Sequence, residues 1–235
     1  MENPFSSIPV VPPPFAHVLR HFSRALRQCQ AKIVAIGSST TAGEGNIVPY
    51  PDRLLPLLRA QYPTAAIGLD NEGVSGQEAP VELLRFDADV ISHRPDLVIW
   101  QIGTNAVWQD PGQVPRPPTF FETTKAIQDG LDRLRDETEA DVILMDLQYV
   151  PALLTPAKRD KAIAMVVAID ELARDAGVNV FHRFAFMKAL REIEGASFDK
   201  MVDPTDDSRL HDSDWVTQRL TWALKLAIVG SVDIA

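Results

Sequence analysis

Residues 96–102, Asp96 through Ile102 (DLVIWQI), form an apolar run too short for a globular helix, and Gly103-Thr104-Asn105 follows at once. A run this long without polar alternation suits a strand buried on both faces. Two others resemble it: Lys32 to Ile36 (KIVAI), which ends at Gly37, and Asp141 to Leu147 (DVILMDL). Ala66 to Leu69 and Val178 to Phe181 are weaker candidates of the same kind. Helical spacing fills the gaps, over Asp52 to Tyr62, Val81 to Asp89, Phe120 to Glu137, Ala157 to Ala176 and Trp215 to Val229. Gly177 stops the fourth of these. Strands that alternate with helices predict an α/β fold, a three-layer α/β/α sandwich with a central parallel sheet.

Outward from that frame, Pro9, Pro12, Pro13 and Pro14 mark residues 1–14 as an irregular arm. Phe15, Val18, Leu19, Phe22, Ala25 and Leu26 then follow helical spacing. The expected organisation is therefore an N-terminal arm and helix over 1–30, packed on a single domain over 31–235. The one cysteine, Cys29, reads as a small apolar residue on that first helix. With one cysteine there is no intramolecular disulfide and no Cys-based zinc cluster. Pro111 to Pro118 (PGQVPRPP) is a loop.

Charge narrows the partners. Lys plus Arg number 23 and Asp plus Glu 32, a formal net charge of −9. An acidic surface repels phosphate backbones, so nucleic acid is not the expected partner. No apolar run reaches the roughly 20 residues that span a bilayer. The Pro-rich start does not look like a signal peptide, so the chain as written is expected in the cytoplasm, or exported if a leader is missing.

In open α/β sheets, ligands bind at the carboxyl ends of the strands. Small and polar residues gather there: Gly37-Ser38-Ser39-Thr40-Thr41-Ala42-Gly43, then Asn71 to Gly76, then Gly103 to Ala106. A serine directly after a buried strand presents its hydroxyl at the sheet edge. The helix expected after it offers free N–H groups and a positive dipole end, suited to an oxyanion or a phosphate. The loop lacks the Gly-Lys-Ser/Thr ending of a P-loop and has no G-x-G-x-x-G. It also lacks the G-x-S-x-G elbow. By spacing alone, Ser39 is a helix N-cap more often than a nucleophile.

These residues resemble the four blocks of the SGNH (GDSL-like) hydrolases. Gly37 to Gly43 is similar to the first block, G-D-S-x-T-x-G, with Ser39 in the nucleophile's place and Ser38 replacing the Asp. Asn71, Gly73 and Gly76 resemble the second block. Gly103-Thr104-Asn105 resembles the third, with Ala106 replacing the Asp. Leu210-His211-Asp212-Ser213-Asp214 resembles the last. The resemblance implies an SGNH fold, flavodoxin-like in its layers, and a serine hydrolase needing no cofactor or metal. It implies Ser39 as nucleophile and His211 as base. Ser39 and Gly73 N–H groups and the Asn105 amide would form the oxyanion hole.

The family usually places an Asp three residues before the histidine, where this chain has Ser208. Asp203, Asp206 and Asp207 lie nearby, and Asp207 is the expected partner of His211, with a Ser-His dyad as the alternative. His17, His21, His93 and His182 belong to no metal-spaced pattern and read as packing or surface residues. Trp100 reads as core, and Trp108 as core or as a stacking face for substrate. The expected substrate is a short, acetyl-like ester, carbohydrate esters included. The alternatives are a lipase- or thioesterase-like hydrolase for longer chains, and an inactive SGNH-fold binding protein. The sequence does not set an oligomeric state.

Overall fold

The computed structural model describes Pro12 and residues 14–233. Five parallel strands form one sheet: β1 (Gln30–Gly37), β2 (Ala66–Gly73), β3 (Leu97–Gln101), β4 (Asp141–Met145) and β5 (Asn179–Phe181), in the order β2-β1-β3-β4-β5. The apolar runs become the central strands. Every residue of β3 is buried, as are the last five of β1. The helices are α1 (Arg20–Arg27), the single turn α2 (Ser39–Ala42), α3 (Tyr50–Gln61), α4 (Ala79–Leu83), α5 (Phe86–Asp89) and α6 (Thr104–Trp108). They continue as α7 (Phe120–Glu137), α8 (Arg159–Ala176), α9 (Arg183–Glu192), α10 (Phe198–Met201) and α11 (Asp214–Gly230).

Helix α3 packs on β2 and α11, whereas α7 lies between α4 and α8. These groups cover the two sheet faces and give the expected three layers. In α7 the buried positions Thr123, Ala126, Ile127, Gly130, Leu131 and Leu134 recur at three- and four-residue steps. Thr119 and Glu122 close a capping box at its start. Trp100 is fully buried and meets the Phe86 ring edge-on at 4.9 Å. Its Nε1 donates to Glu82 Oε2 at 2.7 Å. A Cβ at Gly130 would stand 2.4 Å from the Trp100 ring, so α7 approaches β3 this closely only at a glycine.

Several expectations change. The first helix begins at Arg20 rather than Phe15, and with Leu19 and Phe22 fully buried it belongs to the common core. Of the predicted arm, Pro12 and Pro14 are described and the rest lies outside the described residues. Cys29 is exposed, follows α1 and has φ 58°, so it is neither helical nor packed. The single helix expected over 81–89 is broken between α4 and α5. At the break the Arg85 guanidinium turns inward to the Glu72 carbonyl at 2.6 Å and to Gln77 Oε1 at 2.7 Å. Strand β2 runs on to Gly73 rather than ending at Leu69, paired in register with β1 through Gly37.

The sheet order places what the site needs. The chain leaves β1 for β2 on one side and returns to β3 on the other, so β1 and β3 flank the topological switch point. A crevice opens there beyond the strand ends. Ser39 follows β1 and Asn105 follows β3.

Candidate active site

The turn after β1 carries Ser39. Gly43 N–H donates to the Ser39 carbonyl at 2.9 Å, and Ala42 N–H to that of Ser38 at 2.9 Å. Below it, Gln101 at the end of β3 accepts from Ser38 N–H at 3.1 Å, from Ser38 Oγ at 3.2 Å and from Thr41 Oγ1 at 3.4 Å. The serine that replaces the usual Asp thus ties the turn carrying Ser39 to the neighbouring strand. Because α2 is one turn long, the expected helix-dipole contribution is small, and individual N–H groups matter instead.

Opposite Ser39 stands His211. Its Nε2 lies 3.2 Å from Ser39 Oγ, and its Nδ1 lies 2.9 Å from Asp206 Oδ2. The same carboxylate oxygen accepts the His211 N–H at 2.7 Å and the Leu210 N–H at 2.9 Å. Asp206 Oδ1 accepts the Ser208 N–H at 2.9 Å and its hydroxyl at 2.5 Å. Partial burial alone would raise the Asp206 carboxyl. The N–H of His211, the Ser208 hydroxyl and the N–H groups of Leu210 and Ser208 outweigh it and hold the carboxyl at about 2.

Asp206 therefore replaces Asp207 as the partner of His211. Asp207 is exposed, while Asp206 folds back in an Asx turn onto the residue two positions on. Ser208 occupies the position where the resemblance led one to expect an acid, and it holds the acid in place instead. Asp203 binds Thr205 through N–H and hydroxyl, each at 2.8 Å, and its own N–H donates to the His211 carbonyl at 2.9 Å.

The expected oxyanion donors differ in state. Among the described residues, Ser39 N–H has no protein acceptor. Asn105 is buried and spends one Nδ2 hydrogen on the Gln77 carbonyl at 2.8 Å, leaving the other. The Gly73 N–H is taken by Asn71 Oδ1 at 3.1 Å, which corrects its assignment as an open donor. Gly73 matters through close approach: a Cβ there would lie 2.1 Å from Ala42 N, in the turn that carries Ser39.

Ala106 needs no carboxylate of its own, because Glu78 supplies one from α4's N-cap. Glu78 accepts from Gly103 N–H at 2.8 Å, Ala79 N–H at 3.0 Å and Ala106 N–H at 3.1 Å. Burial pushes Glu78 upward, and it pushes Glu82 up to about 8 with the help of the neighbouring Glu78 charge. Sequence reasoning missed Gln101 and Glu78, since neither lies in a block.

A cleft opens over Ser39 and His211, walled by Thr40, Gly43, Glu44, Ile47 and Pro49. It encloses about 290 Å³, counting space open to solvent. A second hollow, of about 770 Å³ on the same count that includes space open to solvent, lies between Gly76, Val81 and the loop carrying Gln109, Gln113 and Val114. Gln109 Nε2 donates to the Gly76 carbonyl at 3.0 Å, next to the Gln77 carbonyl that holds Asn105. Trp108 is half-buried, and the Lys158 ammonium sits 4.1 Å from its ring centroid, covering one face.

The other histidines lie apart. His93 pairs with Asp70, His21 contacts Arg24 and Glu139, and His182 approaches Asp146 and Asp170. His17 joins Asn179 through its backbone. Among the described residues, no group of three or more His, Cys, Asp or Glu is placed to hold a metal ion. Nor, among them, is any helix long and apolar enough to cross a membrane.

The chain is similar to known proteins in family and in fold. A model of the Non-GDSL lipase-like family matches residues 9–234. An acetylxylan esterase from Geobacillus stearothermophilus is 35% identical over 89 residues, 33% of this chain and 41% of that protein. The match thus spans well under half of that relative's length. The crystal structure of an acetylxylan esterase from the same organism superimposes with a TM-score of 0.68 at 22% identity, covering 84% of this chain and 94% of that one. An alpha/beta hydrolase enzyme from the metagenome of Lake Arreo, Spain, gives 0.71 at 22% identity, covering 86% and 96%. The fold is therefore the SGNH fold that the blocks implied. Catalytic mutants of the Geobacillus esterase replace a serine, an aspartate and a histidine, the last two three residues apart. Here Asp206 and His211 are five apart.

Proposed function

The chain belongs to the Non-GDSL lipase-like family, and we propose that it is a serine esterase that removes short, acetyl-like acyl groups from a polar alcohol such as a carbohydrate. The observation that carries this reading is the line Ser39 Oγ, His211 Nε2, His211 Nδ1, Asp206 Oδ2, with spacings of 3.2 Å and 2.9 Å at its two polar contacts. A nucleophile and base within hydrogen-bond reach, the base oriented by a carboxylate, is the arrangement that acyl transfer needs.

The chemistry follows from the positions. His211 Nε2 takes the Ser39 proton as Oγ attacks the ester carbonyl carbon. The carbonyl π pair moves onto oxygen, where Ser39 N–H and the free Asn105 N–H meet the developing charge. Asp206, ionised throughout the range in which a histidine can act as base, stabilises the imidazolium. The C–O bond to the alcohol then breaks, and His211 donates its proton to the departing oxygen. Water, deprotonated by His211, attacks the acyl-Ser39 carbonyl; the acyl C–Oγ bond then breaks, His211 returns its proton to Ser39 Oγ, and the carboxylic acid leaves.

The small cleft favours a short acyl group, because beyond Ile47 and Pro49 its walls are polar or glycine. A longer chain would leave methylenes in water and forgo about 0.8 kcal/mol for each. The larger hollow, lined by amide side chains and proline faces, suits the alcohol part. The acetyl-xylooligosaccharide esterase among the structural neighbours accords with that choice. The half-buried Trp108 is a further candidate contact. A chain-length series of p-nitrophenyl esters tests the reading. kcat/KM is expected to peak at acetyl to butyryl, and an optimum at octanoyl or longer would refute it.

A further inference from the structure

One buried group joins the site's parts without touching the reacting atoms. Arg183, the first residue of α9, has no exposed side-chain surface. A guanidinium is kept in such a place only with partners. Its Nε donates to the Asp146 carbonyl at 2.9 Å, and its Nη2 to Gln148 Oε1 at 2.7 Å and to Thr104 Oγ1 at 3.4 Å. Thr104 directly precedes Asn105 and itself donates to Gln148 Oε1 at 2.8 Å. Gln148 Nε2 in turn donates to the Leu210 carbonyl, next to His211, at 3.2 Å.

On the other side of His211, the buried Asp212 carboxylate lies 4.0 Å from Arg183 Nη1. Among the described residues, Arg183 Nη1 and both Asp212 oxygens have no hydrogen-bond partner, so each depends on the other's charge. Asp212 also lines the cleft with Ser39 and His211. Burial raises Asp212 to about 6 despite the Arg183 charge beside it.

We propose that Arg183, with Asp212 as its counter-ion, is the positioning residue that fixes the base His211 and the oxyanion donor Asn105 relative to each other. It reaches Asn105 through Thr104, and His211 through Gln148 with Leu210 on one side and Asp212 on the other. A displacement of about 1 Å at such a site costs on the order of 10²-fold in rate. The inference rests on the serine-esterase reading of Ser39 and His211.

The test uses the full chain carrying Arg183→Lys or Asp212→Asn. Melting temperature, kcat and KM on p-nitrophenyl acetate, and the rate of Ser39 labelling by a fluorophosphonate are measured on each. The labelling rate reads nucleophile activation without the substrate. Both folded variants are expected to lose about 10²-fold in kcat and at least about tenfold in labelling rate, with KM within about threefold. Folded variants that label within about threefold of wild type, or lose only in KM, would overturn the proposal. So would failure of both variants to fold, since the pair would then be holding the fold and not the site. A wild type that neither hydrolyses esters nor labels at Ser39 would instead defeat the esterase reading itself.

Discussion

Asp206 Oδ2 lies 2.9 Å from His211 Nδ1 and 2.7 Å from the His211 backbone nitrogen, so one carboxylate oxygen fixes both the ring and the chain that carries it. An amide at position 206 cannot hold the Nδ1–H tautomer and stabilise the imidazolium in the same way. Asp206→Asn is expected to cost more than about 10²-fold in kcat/KM. Asp207→Asn, at an exposed position, is expected to stay within about twofold. Parallel kinetics on the two variants decide it, and a larger loss at Asp207 would restore the assignment the sequence suggested.

The turn that makes this choice explains what was legible. Two adjacent aspartates offer the same chemistry, and which one turns inward depends on local backbone. Ser208 bonds back to Asp206, and Arg209 adopts φ 57° so that Leu210 and His211 can present their N–H groups. The Asp-x-Ser spacing was a usable signal for an Asx turn. The strands were readable because they are buried on both faces, and α7 because its buried positions recur at helical steps. Helix α9 was missed although Phe184, Met187 and Leu190 recur at helical steps, because its first residue is a buried arginine that hides the apolar pattern. Gln101, Glu78 and Arg183 act across 25 to 79 residues of chain, and no local spacing announces that.

Buried carboxyls set the pH dependence of stability. Burial raises Glu82 to about 8 and Asp146 to about 7, the backbone N–H of Phe184 and the Arg183 charge only partly offsetting the latter. Both groups bind protons more tightly folded than unfolded. Their contribution is fully present below their unfolded values near pH 4 and is lost as pH rises through the folded ones. Tm is expected to fall between about pH 5 and 8, and Glu82→Gln to flatten that slope. Scanning calorimetry across the range checks this, and an unchanged slope in the variant would refute it.

Gly130 sets two effects against each other. Alanine would gain up to about 1 kcal/mol in helix propensity. Its Cβ, however, would press on the Trp100 ring, which is fully buried and tethered to Glu82. Overpacking of this kind costs about 1–3 kcal/mol. Gly130→Ala is therefore expected to lower Tm, measured by thermal melt, and a rise in Tm would show that the ring relaxes freely.

The hollow proposed to take the alcohol can be tested apart from the chemistry. Gln113→Trp places an indole between Gly76 and the proline loop, away from Ser39. KM for an acetylated oligosaccharide is expected to rise about tenfold, the loss of roughly 1.4 kcal/mol of binding. Values on p-nitrophenyl acetate should stay within about twofold. Equal losses on both substrates would show that the hollow is not a separate subsite.

The central claim is that Ser39 is the nucleophile, and one comparison tests it most directly. Wild type and Ser39→Ala are assayed side by side on p-nitrophenyl acetate after thermal melts establish that both are folded. The variant is expected to melt within a few degrees of wild type and to lose about 10³-fold or more in kcat, because nucleophile and base act as a unit. A folded Ser39→Ala protein that keeps a tenth of wild-type activity would contradict the account.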